Sequence, residues 1–429
     1  MKTDLFRLSA LNHHDFILTN IRSRINPRSP VGIVQGEIMT AASSSVLTQP
    51  LLDRCRERAP GYDRDNTFCL EDFNDLKAAG YLKMAIPKEF GGQGLTLAQV
   101  ARETRLLAQY APATALCINM HNYWVGDAAD LWRGDEKSCE WILKDAAAGE
   151  VFAAGHAEHG NDIPALLSAT KAERVDGGYK LTGRKAFGSL TPVWTRLGGH
   201  AMDTSNPTAP KIVHFFLPRD AKGYLIKETW DVMGMRATRS DDTVLEGAFV
   251  PDKYIARVLP AGAAGADMFV LGFFTWALVN FANIYYGIGL RTREVLIEQL
   301  KTKTSIALTR PMIYHPEVQH GIAEITMDLE TMGPHVEAIA TDWSEGRIGP
   351  DWLVRLFAVK HRTVEAAFRI VDRALDLSGG FGMFKKSELE RLFRDCRAGR
   401  FHPANPLLTH EIVGKISLGI NPDEQPRWG

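Results

Sequence analysis

The chain has 429 residues, of which 45% are hydrophobic and 24% charged, with 50 basic residues against 51 acidic ones. This composition is typical of a globular protein of two or three domains. The balanced charge gives no support for a nucleic-acid-binding protein, because such proteins need a basic surface to neutralise phosphates. The five cysteines are scattered and form no C-x-x-C pair, which argues against a disulfide framework or structural zinc and favours a cytoplasmic protein.

The amino-terminal segment, residues 1–44, contains several arginines and few acidic residues, which is typical of transit peptides. It lacks the compact apolar core of a secretory signal. A simpler explanation is that the protein starts at Met39, in the sequence M-T-A-A-S-S-S. We therefore expect little structure before residue 45.

The period of the apolar residues divides the rest of the chain into three regions. Residues 45–150 show helical spacing. Residues 151–260 alternate apolar and polar residues around turn signals such as Asp176–Gly178, which predicts short strands in a small β-barrel or sandwich. Helical spacing returns over 261–420, and 421–429 is predicted to be a tail. The expected fold class is α+β, with a helical domain, a small β domain and a helical bundle.

The run from Met268 to Leu290 contains no charged residue and is long enough to be a transmembrane helix. Asn280, Asn283 and three glycines interrupt it. A helix that is apolar on all sides can also be the central helix of a large bundle. We favour the buried helix and expect no membrane span.

Four segments carry a family resemblance. Gly80–Leu95 (GYLKMAIPKEFGGQGL) matches a loop of the form G-hydrophobic-P-x-x-[FY]-G-G-x-G, and Met233–Ile255 matches G-x-R-x-[ST] followed by a strand and V-P. The segment from Tyr314 resembles Q-x-x-x-x-x-[LI]-A-[ED], and the segment from Leu377 resembles G-G-x-G…L-x-R-D. Each match is weak alone, but their order and spacing over 46–418 resemble the acyl-CoA dehydrogenase superfamily.

This resemblance implies a fold and a reaction. It implies an amino-terminal helical domain, a middle β domain and a carboxy-terminal four-helix bundle, assembled as a homodimer or homotetramer. It also implies a flavin, FAD or alternatively FMN, between the β domain and the bundle. The family reaction is dehydrogenation of the CH–CH group of an acyl-CoA thioester. A carboxylate removes the α-proton while the β-hydrogen passes as hydride to flavin N5.

The catalytic base departs from the family pattern. The usual glutamate, four residues after the last glycine of G-G-x-G, is replaced by Lys386. An ordinary lysine, with a pKa of about 10.4, is protonated near neutral pH and cannot simply replace a carboxylate. Some relatives carry the glutamate on the first long bundle helix, but Met268–Leu290 has no acid. Glu388 is a candidate for a relocated base, although its spacing from Arg391 also suits a surface ion pair.

The residues expected to contact the flavin also differ in part from the family pattern. The family loop T-E-P-x-[AS]-G-S-D corresponds to 155–162, and the aromatic–x–hydroxyl motif beside the isoalloxazine resembles 187–189. On the diphosphate side, Lys303 or Arg310 can supply the charge of a missing arginine. The positions that the resemblance assigns to cofactor binding are Gly155, His156, Asn161, Phe187, Gly188, Ser189, Asp376, Gly379, Gly380 and Asn405.

A lost base with altered flavin contacts resembles a second branch of the same fold, the two-component flavin monooxygenases. These enzymes accept reduced flavin from a reductase and use oxygen, so they need no α-proton base. Histidines suit their acid–base chemistry because they titrate near neutrality. His402 and His156 are the best placed by the resemblance, with a structural hydrogen-bonding role as the alternative for each.

Three hypotheses follow from the sequence. The first is an acyl-CoA dehydrogenase-like flavoenzyme, with Lys386, Glu388 and His402 as candidate catalytic residues and an electron-transfer partner. The second is a flavin monooxygenase served by a flavin reductase, and the third is a homologue that keeps the fold and has lost the chemistry. We take the first as the primary expectation.

Overall fold

The computed structural model describes residues 45–163, 165–262 and 267–423. The segment before residue 45, including the start proposed at Met39, lies outside the described residues, as does the end of the predicted tail beyond residue 423.

The amino-terminal region is helical, as predicted. Leu97–Ala108 begins with a capping box, in which Thr96 and Gln99 satisfy each other's free backbone groups. The loop between the second and third helices contains two short 3-10 turns, and its Gly92 packs so closely on the Ile86 carbonyl that a Cβ would overlap it. The five helices are α1 (Gln49–Asp65), α2 (Leu70–Ala78), α3 (Leu97–Ala108), α4 (Pro112–Arg133) and α5 (Glu140–Ala148).

The middle region forms one sheet of eight strands, in the order β6-β7-β3-β2-β4-β5-β8, with β1 paired to β4. Most neighbours are antiparallel, whereas β1 and β2 each run parallel to β4. This agrees with the short strands that the sequence predicts. The strands are β1 (Phe152–Gly155), β2 (Lys171–Val175), β3 (Gly178–Lys185), β4 (Arg196–Asp203), β5 (Lys211–Pro218), β6 (Tyr224–Lys227), β7 (Asp242–Pro251) and β8 (Ile255–Pro260).

The carboxy-terminal region is a bundle of long helices, as expected. The first of them packs against α3 and α4 as well as against its bundle neighbours, so it joins the two helical regions. The helices are α6 (Met268–Thr302), α7 (Pro316–Ser344), α8 (Trp352–Ser378), α9 (Glu388–Arg397) and α10 (Pro406–Ser417).

Helix α6 contains the charge-free run. By length and apolar character it passes the test for a membrane span, and 83% of its most apolar window is buried inside the structure. Asp267 caps its amino terminus by accepting hydrogen bonds from the Phe269 and Val270 amides. Its apolar surface is covered by other helices of the same chain, in agreement with the prediction of a central core helix.

Helices α4 and α6 approach closely at Gly126. A Cβ at this position would overlap the indole of Trp276, which is fully buried, and the indole Nε1 donates to Asp130 on α4 (2.7 Å). Trp343 of α7 donates to the same carboxylate (2.8 Å), so one acid joins three helices. Only glycine leaves room for this arrangement.

We predict that Gly126→Ala lowers the free energy of unfolding by about 1–3 kcal/mol, because the added methyl group displaces the Trp276 ring from a close-packed core. Gly414→Ala is the matched control, since Gly414 is also helical and nothing lies within 4 Å of its would-be Cβ. This control should gain about 0.5–1 kcal/mol from helix propensity. Urea unfolding of both variants checks the prediction, and equal effects would contradict it.

Candidate functional site

A cavity of about 510 Å³ opens where α4, α6, the loops after β1 and β3, and the loop before α10 meet. Its volume lies within the range of small-molecule sites, and such sites are mostly apolar with a few polar groups that orient the ligand. Its apolar and aromatic wall includes Leu116, Met120, Tyr123, Trp230, Phe273, Phe274, Leu278, Phe281 and Phe401. Its polar and charged lining includes His156, Glu158, Asn161, Asp162, Ser189, Thr238, Ser240, His402 and Asn405.

The turn after β3 presents Phe187 to this cavity. Phe187 and Leu190 both have positive φ values (55° and 68°), which are unfavourable for residues with a side chain. The Phe187 ring meets Trp230 edge-on at 5.7 Å and is 57% exposed. Backbone strain of this kind is often kept at binding sites. The exposed ring is therefore available to pack against a planar ligand.

Three buried hydroxyl groups lie beside this turn. Ser240 is 2.7 Å from both Ser189 and Thr238, and Thr238 donates to the Met235 carbonyl (2.9 Å). A hydroxyl has a single proton. Because the Thr238 proton is used, Ser240 donates to Thr238 and Ser189 donates to Ser240. The Ser189 oxygen is then left as an acceptor for an N–H or O–H group of a ligand.

His156 lies at the end of β1 and lines the cavity. Its ring stacks on Phe273 at 5.1 Å, and its Nδ1 is 3.2 Å from Nδ1 of His200 behind it. Its Nε2 is buried and has no hydrogen-bond partner among the described residues. Burial lowers the pKa of His156 to about 3, so the ring is neutral at pH 7. The site thus holds a neutral imidazole whose second nitrogen has no hydrogen-bond partner in the part of the chain that the structure describes.

Glu158 also lines the cavity, but its carboxylate is already occupied. It accepts from Lys185 Nζ at 2.6 Å, and the hydroxyls of Ser168 and Thr170 and the amide of Asn161 donate to it as well. Burial alone would raise its pKa, but the Lys185 cation and these hydrogen bonds hold the pKa of Glu158 below its usual range. Glu158 is therefore ionised and fixed in place, and it is not free to remove a proton from a ligand.

His402 comes from the loop before α10. Its ring lies 4.8 Å from that of Phe281, and its Nδ1 is 3.5 Å from the Tyr285 hydroxyl, both on α6. Burial lowers the pKa of His402 to about 3. Asn405 follows in the same loop and caps α10, with its side-chain oxygen accepting from the Leu408 amide (2.9 Å). Two neutral imidazoles, His156 and His402, thus line one cavity.

Two family models match the chain. The acyl-CoA dehydrogenase N-terminal domain matches residues 48–150, and the acyl-CoA dehydrogenase C-terminal domain matches residues 280–406. Together they cover more than half of the 429 residues. This chain belongs to the acyl-CoA dehydrogenase superfamily.

Relatives within this superfamily are named for two kinds of reaction. YdbM of Bacillus subtilis (strain 168), a proposed acyl-CoA dehydrogenase, is 26% identical over 372 residues, which are 86% of this chain and 93% of the relative. The amino sugar nitrososynthase DnmZ of Streptomyces peucetius is 28% identical over 380 residues, 83% of this chain and 88% of the relative. The solved structure of KijD3 with FMN and dTDP-3-amino-2,3,6-trideoxy-4-keto-3-methyl-D-glucose has a TM-score of 0.77 and 26% identity, and it covers 88% of this chain and 93% of that one.

Of the superfamily positions identified in the sequence, the structure brings together His156, Asn161, Phe187, Ser189, His402 and Asn405 around the cavity. Gly155 and Gly188 belong to the same two turns without being among the cavity-lining residues. Asn161 acts within its own loop, where it donates to Glu158 and to the Leu167 carbonyl and accepts from the Ile163 amide. Its role in the structure is to shape the loop.

The two candidate bases near α9 do not line the cavity. Lys386 lies over the rings of Phe381 and Phe384, at 5.4 and 5.7 Å. Glu388 forms a bidentate ion pair with Arg291 of α6, whose Nε and Nη2 donate to the two carboxylate oxygens at 3.0 and 2.9 Å. Burial alone would raise the pKa of Glu388, but Arg291 and, more weakly, Arg391 hold it below its usual range, so the carboxylate is a poor base. The sequence argument from Arg391 missed this partner because Arg291 is distant in the chain.

Three further positions assigned to cofactor binding lie together at the carboxy-terminal end of α8, and none of them lines the cavity. Asp376, Gly379 and Gly380 are exposed. Lys303, considered in the sequence as a replacement cation, donates to the Ser378 carbonyl at 2.6 Å. The sequence thus selects two separate groups of residues, one at the cavity and one at this helix end.

Several cavity residues were not selected from the sequence. Thr238 is the last residue of the G-x-R-x-[ST] motif and Ser240 lies two residues beyond it, so that motif could have led to both. Trp230 and Phe273 carry no such signal, because an apolar residue that lines a cavity follows the same spacing as one that fills a core.

We predict that Glu158→Gln destabilises the protein by about 3–5 kcal/mol, because it leaves the Lys185 cation buried without a partner charge. The double variant Glu158→Gln/Lys185→Met should recover part of this loss. Since the pKa of Glu158 is depressed in the folded state, the stabilisation is present above the unfolded pKa of about 4.3 and is lost as the pH falls below it.

Urea unfolding at neutral and acidic pH measures these effects. Glu173→Gln, at an exposed position of β2, is the control and should change stability by less than about 0.5 kcal/mol. A Glu158→Gln variant as stable as this control would contradict the prediction.

Proposed function

We propose that this chain is a flavin-dependent monooxygenase that uses reduced flavin and molecular oxygen to oxidise a small organic molecule. The observation that carries this proposal is the set of ionisable groups at the cavity. Two neutral histidines line it, whereas Glu158 is held in an ion pair and Asp162 lies at an exposed position. Within the described residues the cavity therefore offers imidazoles rather than a free buried carboxylate.

The residues present fit a flavin. The cavity volume is large enough for the ring system, and Phe187 offers an aromatic face to a planar ligand. Ser189 offers an acceptor at the cavity wall. The FMN in the solved KijD3 structure supports the same assignment. FMN and FAD are both compatible with this set of contacts.

In this proposal the bound reduced flavin supplies the activation of oxygen. The residues of the chain bind and orient the ligands, and the aromatic wall keeps bulk water away from them. His402 and His156 are neutral at pH 7, so they add polar contacts to the cavity wall without adding charge. Reduced flavin has to be supplied continuously, and a separate flavin reductase is the partner that this reaction requires.

We propose an amine as the first substrate class to test. An amine is oxidised at nitrogen in its neutral form, and the N–H of a neutral imidazole can donate a hydrogen bond to that nitrogen. The names of DnmZ and of the KijD3 complex, which both refer to amino sugars, support this choice.

Acyl-CoA dehydrogenation, the primary expectation from the sequence, is the second candidate. The similarity to YdbM over 93% of that relative favours it. It requires a base beside the α-carbon of the substrate, however, and Lys386 and Glu388 lie outside the cavity lining. The homodimer or homotetramer expected from the resemblance stays a prediction.

Two assays on the flavin-loaded protein separate these candidates. With NADH, a flavin reductase and oxygen, we expect an oxygenated product from an amine substrate and none in an anaerobic sample. Anaerobic addition of acyl-CoAs of different chain length should leave the oxidised flavin absorbance unchanged. Bleaching by an acyl-CoA would overturn the monooxygenase proposal in favour of the dehydrogenase, and failure to bind FMN or FAD would overturn both.

We further predict that His402→Ala lowers the kcat of oxygenation by about a hundredfold, because loss of this wall residue lets the substrate shift from its reactive orientation. The control is His320→Ala, because His320 is an exposed residue of α7 outside the cavity. Unchanged turnover in His402→Ala would remove this histidine from the mechanism.

A further inference from the structure

Lys360 is a buried cation on α8 that the proposed reaction does not use. The residue is 1% exposed, and it makes no ion pair within the described part of the chain. Its Nζ instead donates to three backbone carbonyls of a single loop, those of Gly399 (3.0 Å), His402 (3.2 Å) and Ala404 (2.8 Å). The nearest acid on the same helix, Glu365, pairs with Arg400 (2.8 Å).

This arrangement lowers the stability of the folded protein. A buried charge without a counter-charge is strongly unfavourable, and an apolar side chain of similar size would fill the same space. The three N–H donors of an ammonium group match the three carbonyls in number. Because all three belong to one short loop, the lysine restricts the position of that loop rather than joining distant parts of the fold.

The loop in question, residues 398–405, forms one wall of the ligand cavity. It contributes Ala398, Phe401, His402, Pro403 and Asn405 to the lining. At its start, Gly399 packs against the Tyr285 ring so closely that a Cβ would lie 2.8 Å from it. Tyr285 is also the residue whose hydroxyl approaches His402. A small movement of the loop would therefore move His402 relative to α6.

We propose that Lys360 is a positioning residue that holds loop 398–405, and with it His402, against the ligand cavity. It acts on a ligand only through this loop and does not line the cavity itself. The part of this proposal that concerns a bound ligand rests on the proposed flavin function, whereas the part that concerns the loop does not.

The loop is tested first, in the protein without added flavin. Lys360→Met keeps the length of the side chain and removes the three donors. Burial lowers the pKa of Lys360 to about 7, so the comparison is made at about pH 6, where the wild-type ammonium is protonated. We expect hydrogen exchange of the amides in 398–405 to become at least about tenfold faster, with exchange in β4 and β5 unchanged.

The control for this experiment is Lys301→Met, the same chemical change at an exposed position of α6. Equal exchange of the loop amides in Lys360→Met and in the wild type would overturn the proposal. If Lys360→Met fails to fold, Lys360→Arg replaces it. The guanidinium keeps the charge and several donors, so slow exchange in the loop is expected, and fast exchange of the loop in a folded Lys360→Arg protein would overturn the proposal.

Binding of FMN supplies a readout that a purely structural lysine would not change. We expect Lys360→Met to weaken FMN binding about tenfold in the wild-type background and about twofold or less in a His402→Ala background, because coupled residues have non-additive effects. Equal effects in the two backgrounds would overturn action through His402. If the wild-type protein does not bind FMN, the proposed flavin function is wrong. The hydrogen-exchange experiment then still decides whether Lys360 holds the loop.

Discussion

The contact between Gly126 of α4 and Trp276 of α6 brings two helices from distant parts of the chain into direct contact. The indole nitrogen then reaches Asp130, and Trp343 from α7 reaches the same carboxylate. These three helices support the cavity from behind. Helices α4 and α6 also contribute residues to one of its walls. The loops after β1 and β3 and loop 398–405 close the other sides. Without the close approach of α4 and α6 this space would have no fixed shape.

Buried charges around the cavity are stabilised in two different ways. Glu158 and Lys185 form a buried ion pair that also receives hydrogen bonds from neighbouring hydroxyls. Lys360 has no counter-ion among the described residues, and its ammonium group donates to backbone carbonyls instead. Each arrangement fixes a loop that lines the cavity, and both leave the histidines at the cavity neutral. Rigid support of this kind is what a binding site needs in order to hold a ligand in one orientation.

The placement of acidic groups separates the two reactions known for relatives of this chain. Removal of an α-proton requires a free carboxylate next to the ligand, whereas oxygenation with reduced flavin does not. In the described structure Glu388 is turned towards Arg291, and Lys386 lies over two phenylalanines. Neither of these two candidate bases lines the cavity, and neutral imidazoles line it instead.

Much of the fold was predictable from the sequence, because helices and strands follow the local spacing of apolar residues. The order of helices, strands and bundle, the central helix that contains Met268–Leu290, and the cavity residues Phe187, Ser189 and His402 were all identified in this way or by resemblance. The sequence alone could not show that Glu158 is occupied by Lys185, that Glu388 pairs with Arg291, or that Lys360 holds the His402 loop. These contacts join residues that are far apart in the chain, and burial determines their chemistry. Only the tertiary structure decides which distant groups meet away from water, and therefore which acids and bases remain free to react.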